Sequence, residues 1–146
     1  KAMPLLYISE LADAYDIKLK NKSSIEDRIK YAIDRILSMQ RSDGSFGYWS
    51  SKNPTEPWLS VYALDFLSRA KEKGYLIENW SFKNGLEWLQ RKTANKYRLD
   101  KSLTPYAFYV LSKNSLIDPS NTRTYAMTPF ETNAPSAEIY CTAAAW

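Results

Sequence analysis

Paired carboxylates can protonate or ionise a substrate, and two pairs lie close in this sequence: Asp13 with Asp16, and the adjacent Glu26 and Asp27. Acid catalysis needs a carboxyl whose proton is held by burial or by a like-charged neighbour. Both pairs fall on the outer faces of helices in the reading below, so they are taken as solvated charge. The chain has one cysteine, Cys141, and no histidine. Ser-His-Asp and Cys-His catalysis are thereby removed, as are the usual Cys/His zinc sites. Cys141 lies in "IYCTAAAW" and reads as a core residue rather than a nucleophile. A lone cysteine leaves the redox compartment open. No glycine-rich phosphate loop is present. Asp65 interrupts a very apolar stretch and is assigned an i,i+4 pair with Arg69 on the polar edge of its helix. No catalytic residue, metal ligand or cofactor site follows from these groups, and no cofactor is expected.

The densest local signal is "QRSDGSFGYW", residues 40–49. Two of the four glycines, Gly44 and Gly47, stand there among Phe46, Tyr48 and Trp49. Asp43-Gly44 is a turn signal. The preferred reading is a packed corner: the turn ends a helix, Gly47 lets the backbone come close, and the three aromatics pack over helix ends. The alternative is a binding platform built from the same rings.

The elements that position these groups are helical almost throughout. "PLLYISELADAY" puts Leu5, Ile8, Leu11, Ala12 and Tyr15 on one face, with Pro4 in the first turn. Ser23 with Glu26, or Ser24 with Asp27, suits a capping box. A stripe of Ile25, Ile29, Ala32, Ile33, Ile36 and Leu37 then runs to about Gln40. The next helix starts near Pro57, and Trp58, Val61, Tyr62, Leu64, Phe66 and Leu67 make it apolar enough to be buried on more than one side. Lys71 and Lys73 oppose the dipole at its end, and Gly74 fits the left-handed position beyond it. Ser81 can cap a helix carrying Phe82, Leu86, Trp88 and Leu89. Thr104-Pro105 opens another. Residues 114–133 read as loop, with a short helix near Arg123 to Met127, and Pro135 opens a last small-residue helix.

An internal repeat organises these helices. "LSVYALDFLS" (59–68) lies over "LTPYAFYVLS" (103–112), an offset of 44 residues. Leu59/Leu103, Tyr62/Tyr106, Ala63/Ala107, Leu67/Leu111 and Ser68/Ser112 recur. "AIDRIL" lies over "GLEWLQ" in the helices before them, and "SAEIYCTAAA" is a weak third copy. Each repeat is a more polar helix followed by a more apolar one. Repeats of this length without strands indicate stacked helical hairpins, apolar helices inward. The fold class is all-α.

Composition agrees with a folded domain: 146 residues, 45% hydrophobic and 25% charged, close to ordinary globular proportions. The net charge of +4 is spread out, without the dense basic stripe of a nucleic-acid binder. No apolar run reaches the length of a membrane span. The chain opens at "KAMPLLY" and stops inside "IYCTAAAW", so it is read as one piece of a larger protein, truncated at both ends.

Residues 31–77, "YAIDRILSMQRSDGSFGYWSSKNPTEPWLSVYALDFLSRAKEKGYLI", resemble the thioester-containing domain of bacterial alpha-2-macroglobulins, relatives of the complement components. The run Gln40 to Gly47, Pro57-Trp58-Leu59, and Tyr62 to Leu67 carry the likeness. So does the start, because the family's Cys-x-Glu-Gln thioester motif is followed by a pattern that Lys1-Ala2-Met3-Pro4-Leu5-Leu6-Tyr7 fits. The resemblance holds through Leu111 and weakens beyond it.

It implies an alpha/alpha toroid, of which residues 1–146 form part, and a domain that carries and shields a thioester in a broad-spectrum protease-trapping inhibitor. The Cys and Gln of that bond would lie just before Lys1, and Cys141 is in the wrong context to be one of them. Lys1, Ala2, Met3, Pro4 and Tyr7 would be thioester-proximal, and Phe46, Tyr48 and Trp49 would be its shield. The implied partners are target proteases and other macroglobulin domains of the same chain, in the periplasm or cell envelope, with no nucleic acid and no membrane insertion by this segment. In some complement relatives a histidine passes the acyl group to hydroxyls; this segment has none to supply, which favours direct attack by amines. Truncating the ring would expose an apolar flank near Tyr140, Ala144 and Trp146. The alternatives are an enzyme on the same toroid acting on isoprenoids or polysaccharides, although terpene-cyclase acid clusters and prenyltransferase zinc ligands are missing, and a helical-repeat interaction module.

Overall fold

The computed structural model describes residues 3–8, 11, 14–15, 22–94, 99–100 and 102–117, and over these the chain is all-α. Among the described residues a 3₁₀ helix, Met3–Tyr7, is followed by α1 (Lys22–Leu37), α2 (Pro57–Glu72), α3 (Asn79–Ala94) and α4 (Thr104–Lys113). Among the described residues the only β pairing is two isolated antiparallel bridges, Gln40 with Phe46 and Gly47 with Thr55. Lys1, Ala2, Asp13, Asp16, Cys141, the helix expected near 123–127, the last helix and its flank at Tyr140, Ala144 and Trp146 lie outside the described residues.

The helix pairs read from the repeat are α1 with α2 and α3 with α4; the second pair packs directly, whereas α1 and α2 are joined through the corner of residues 38–56. The apolar members are the buried ones. In α2, Val61, Ala63, Leu64, Phe66, Leu67 and Ala70 are all buried, and these positions cover more than half of the helix's circumference. It packs against α3 and α4, which also pack on each other. In α4, Ala107, Val110 and Leu111 are buried without exposure. The repeat pairs Ala63/Ala107 and Leu67/Leu111 therefore do the same work in both copies. The more polar helices bury one stripe each: Ile29 and Ile33 on α1, and Phe82, Leu86, Trp88 and Leu89 on α3. Glu26 and Asp27 are exposed, as solvated charge should be.

Helix ends follow local chemistry. Pro57 opens α2 with its fixed φ. Gly74, φ +85°, supplies the left-handed residue after the C-terminus. At the end of α1, Met39 and Gln40 amides bond Ile36 and Leu37 carbonyls, tightening the last turn to 3₁₀ spacing. Three expectations are corrected. First, α1 begins at Lys22, so Ser23 and Ser24 are inside its first turn rather than at the cap. Second, α3 begins at Asn79, and Ser81 Oγ donates to Glu78 Oε2 at 2.7 Å instead of capping the helix. Third, Met3–Tyr7 winds as 3₁₀ and its buried residue is Leu6, with Leu5 packed partly buried against the core; Ile8 and Leu11 are helical, but Leu11 and Tyr15 are exposed rather than on a core face.

The corner between α1 and α2 is fastened by Ser60, which is fully buried. Its hydroxyl accepts from the Phe46 amide at 2.9 Å and donates to the Glu56 carbonyl at 2.7 Å. Ser60→Ala leaves a buried amide without a partner, which costs about 1–3 kcal/mol. Urea unfolding should show that loss as a lower midpoint at unchanged slope.

Candidate functional site

The turn of residues 40–49 is built on Asp43. Its Oδ1 accepts from the Ser45 amide at 3.0 Å and from Ser45 Oγ at 2.7 Å. Partial burial works to raise the pKa of this carboxyl, but the Ser45 bonds and the nearby Arg41 outweigh it and hold the pKa below the ordinary value. Gln40 Nε2 reaches across to the Ser81 carbonyl at 2.8 Å and back to the Gly44 carbonyl at 3.2 Å. Arg91 Nη2 donates to the Asp43 carbonyl at 2.8 Å. The turn is thus tied to α3 from both sides.

The three aromatics of this turn separate. Phe46 is 0% exposed, whereas Tyr48 is 59% and Trp49 74% exposed. Only Phe46 packs into the corner. The expectation that all three pack over helix ends is corrected for Tyr48 and Trp49. The chain bends at Gly47, where an added Cβ would lie 2.5 Å from the Ser50 carbonyl oxygen, and the next two rings face outward. Arg35 Nη2 donates to the Trp49 carbonyl at 3.1 Å, fixing the turn's backbone against α1. Trp58, assigned to the buried surface of α2, is exposed and stacks on Tyr62 at 5.2 Å between centroids.

A second group of side chains lies at the other end of α2. Asp65 is not on a polar edge: its side chain is 5% exposed, against 24% for Arg69. Arg69 Nε donates to Asp65 Oδ1 at 2.8 Å, and the Tyr106 hydroxyl donates to Oδ2 at 2.8 Å. The remaining guanidinium nitrogens bond two more phenols, Nη1 to Tyr7 at 2.8 Å and Nη2 to Tyr109 at 3.1 Å. Burial works against the Arg69 charge, but the bonds to Tyr7 and Asp65 and the charge of Asp65 overcome it and raise its pKa further. Lys73 Nζ lies 4.3 Å from the centroid of the Tyr7 ring. One ion pair therefore joins the 3₁₀ helix, α2 and α4.

Of the residues marked at the start of the chain, Met3, Pro4 and Tyr7 lie in the 3₁₀ helix. Tyr7 binds Arg69 near the end of α2, and Phe46 binds Ser60 near its start. Those two attachment points are nine residues apart, about 13 Å along a helix axis. The network around Asp65 was only partly visible in the sequence. The i,i+4 spacing marks Asp65 and Arg69, but nothing local points to Tyr7, Tyr106 or Tyr109.

Comparison with known proteins agrees with this architecture. Residues 2–116 match the family described as the A-macroglobulin TED domain. An alpha-2-macroglobulin of Escherichia coli strain K12 is 36% identical over 90 residues, covering 60% of this chain and 5% of that protein. Among solved structures, Escherichia coli alpha-2-macroglobulin activated by porcine elastase superposes with a TM-score of 0.85 at 24% identity, over 99% of this chain and 14% of that one. Salmonella alpha-2-macroglobulin reacted with methylamine gives a TM-score of 0.73 at 27% identity, over 86% of this chain and 9% of that one. The chain spans about 5% of the length of the curated relatives it matches.

Proposed function

Because the chain belongs to the A-macroglobulin TED domain family, we propose that residues 1–146 are part of one domain that carries and shields a reactive thioester in a protease-trapping inhibitor. The Cys and Gln that form the bond lie outside this chain, before Lys1. A protease cleaves a bait segment elsewhere in the protein, the thioester becomes accessible, and an amine on the protease attacks it. The amine nitrogen bonds to the acyl carbon, the carbon–sulfur bond breaks, and the thiolate leaves and takes up the proton that the amine loses. The domain's part is not catalytic. Its packing keeps water and amines from the acyl carbon until release.

The observation that carries this reading is the match over residues 2–116, which brings in the Met3–Tyr7 segment as well as the helical stack. Lys1, Ala2, Met3, Pro4 and Tyr7 are the thioester-proximal residues. Phe46 anchors the corner, and the outward rings of Tyr48 and Trp49 are the part of it available as a shield. The partners are target proteases, engaged through the full-length protein, and neighbouring macroglobulin domains. The location is the periplasm or cell envelope; among the described residues no helix is long and apolar enough to cross a membrane. The absence of histidine in these residues goes with direct aminolysis rather than relay to hydroxyls.

Methylamine tests the proposal. Added to the full-length protein, it should release one titratable thiol per molecule and leave the glutamine as its methylamide, seen by mass spectrometry. An equal concentration of glycerol should release far less. No thiol released by methylamine, or equal release by glycerol, would count against this function.

A further inference from the structure

The 3₁₀ helix Met3–Tyr7 is attached to the stack in two physically different ways. Leu6 is buried in the core, and apolar burial holds a segment close without fixing its orientation. Tyr7 supplies the direction. Its hydroxyl accepts from Arg69 Nη1 at 2.8 Å, a bond that tolerates only a narrow range of distance and angle. Arg69 in turn has little freedom, since Nε is held by Asp65 and Nη2 by Tyr109. Asp65 is fixed by the Tyr106 hydroxyl on α4. Each guanidinium nitrogen thus meets a different side chain. A lysine is a point charge on a flexible stem and cannot span these three positions.

From this geometry we propose that Arg69 is a positioning residue for the thioester-bearing end of the domain. By pinning Tyr7 it sets where the start of the chain lies against the stack, and hence how often the acyl carbon just upstream can be reached by an amine. The inference rests on the thioester-domain reading above. The bond chemistry is that of the aminolysis already described; the brace governs access to it. Asp65 acts through Arg69, and Leu6 keeps the segment nearby when the brace opens.

Tyr7→Phe in the full-length protein tests it, because it removes one hydroxyl and leaves the ring. Methylamine-driven thiol release should become roughly tenfold faster, the factor corresponding to one hydrogen bond to a charged group. Amide hydrogen exchange over residues 5–8 should accelerate with it. Arg69→Lys, which keeps the charge but not the fork, should behave like Tyr7→Phe. Leu89→Val on α3 is the control: it thins the buried core without removing any bond of the brace, and release should stay within about twofold of wild type, as for an independent site. Unchanged exchange in Tyr7→Phe overturns the proposal, and so does equal acceleration in Tyr7→Phe and Leu89→Val, which would mean general loosening. So does unchanged release in Tyr7→Phe when the wild type responds. A wild type that releases no thiol sinks the functional reading instead, and the exchange measurement then decides alone whether Arg69 pins Tyr7.

Discussion

Arg69→Met should lower the unfolding free energy of the chain by about 3 kcal/mol, and the reason is the burial of its partner. An exposed ion pair contributes roughly 0–1 kcal/mol, and that was the expectation for an Asp65–Arg69 pair on a polar edge. Asp65 is 5% exposed at its side chain, so methionine leaves a carboxylate out of water without its cation. Removing one partner of a buried pair costs about 3–5 kcal/mol. The 24% exposure of the Arg69 side chain lets water in to share the charge, which puts the effect at the lower end. The melting temperature should fall by about 10 °C, given a few degrees per kcal/mol at this size. Replacing both partners, as Asp65→Leu with Arg69→Met, should recover much of the loss, since no uncompensated charge remains. Denaturant unfolding of the two variants checks this. A single-variant cost below about 1 kcal/mol would return the pair to the surface class.

That pair also marks how far the sequence could be read. Helices were legible because their signals are local: Pro57, Thr104-Pro105, Gly74, and stripes such as Ile29 with Ile33. The repeat was legible because Ala63/Ala107 and Leu67/Leu111 meet the same packing demand in both copies. What could not be read is contact between distant residues. Arg69 meets Tyr7 across 62 positions, and Asp65 meets Tyr106 across 41; neither separation has a periodicity. The repeat even misleads at one place. Tyr62 and Tyr106 are equivalent in sequence, but Tyr62 is half-buried and stacks on the exposed Trp58, while Tyr106 is buried against a carboxylate. Rings in the corner show the same limit. Tyr48 and Trp49 are apolar enough for a core, yet the direction of the chain after Gly47 turns them out, and no residue type encodes that direction. The segment Met3–Tyr7 was marked only through family likeness, and its hydrogen bond to Arg69 appears only in three dimensions.

Gly44→Ala should be the most damaging glycine substitution in the described chain, at about 3–4 kcal/mol. Two costs add. At φ +93° a residue with a Cβ pays about 1–2 kcal/mol in the backbone alone. The methyl group would also lie 2.2 Å from the Asn84 carbonyl oxygen and 2.8 Å from its carbon. Both atoms belong to the backbone of α3 and cannot rotate aside, so the helix or the turn must move, which costs about 1–3 kcal/mol. Moving either strains the bonds from Gln40 to the Ser81 carbonyl and from Arg91 to the Asp43 carbonyl. Gly74→Ala separates the two costs. Its φ is +85°, but nothing lies within 4 Å of the added Cβ, so only the backbone cost of about 1 kcal/mol applies. Unfolding free energies of the two variants, measured side by side, should differ by about 2 kcal/mol, the size of the overpacking cost. Equal losses would show that α3 gives way freely at Asn84, and that the turn is not clamped between Gln40 and Arg91. The clamp matters beyond stability, because the same turn seats Phe46 on Ser60 and sends Tyr48 and Trp49 outward; a turn displaced from α3 would present those rings at a different place.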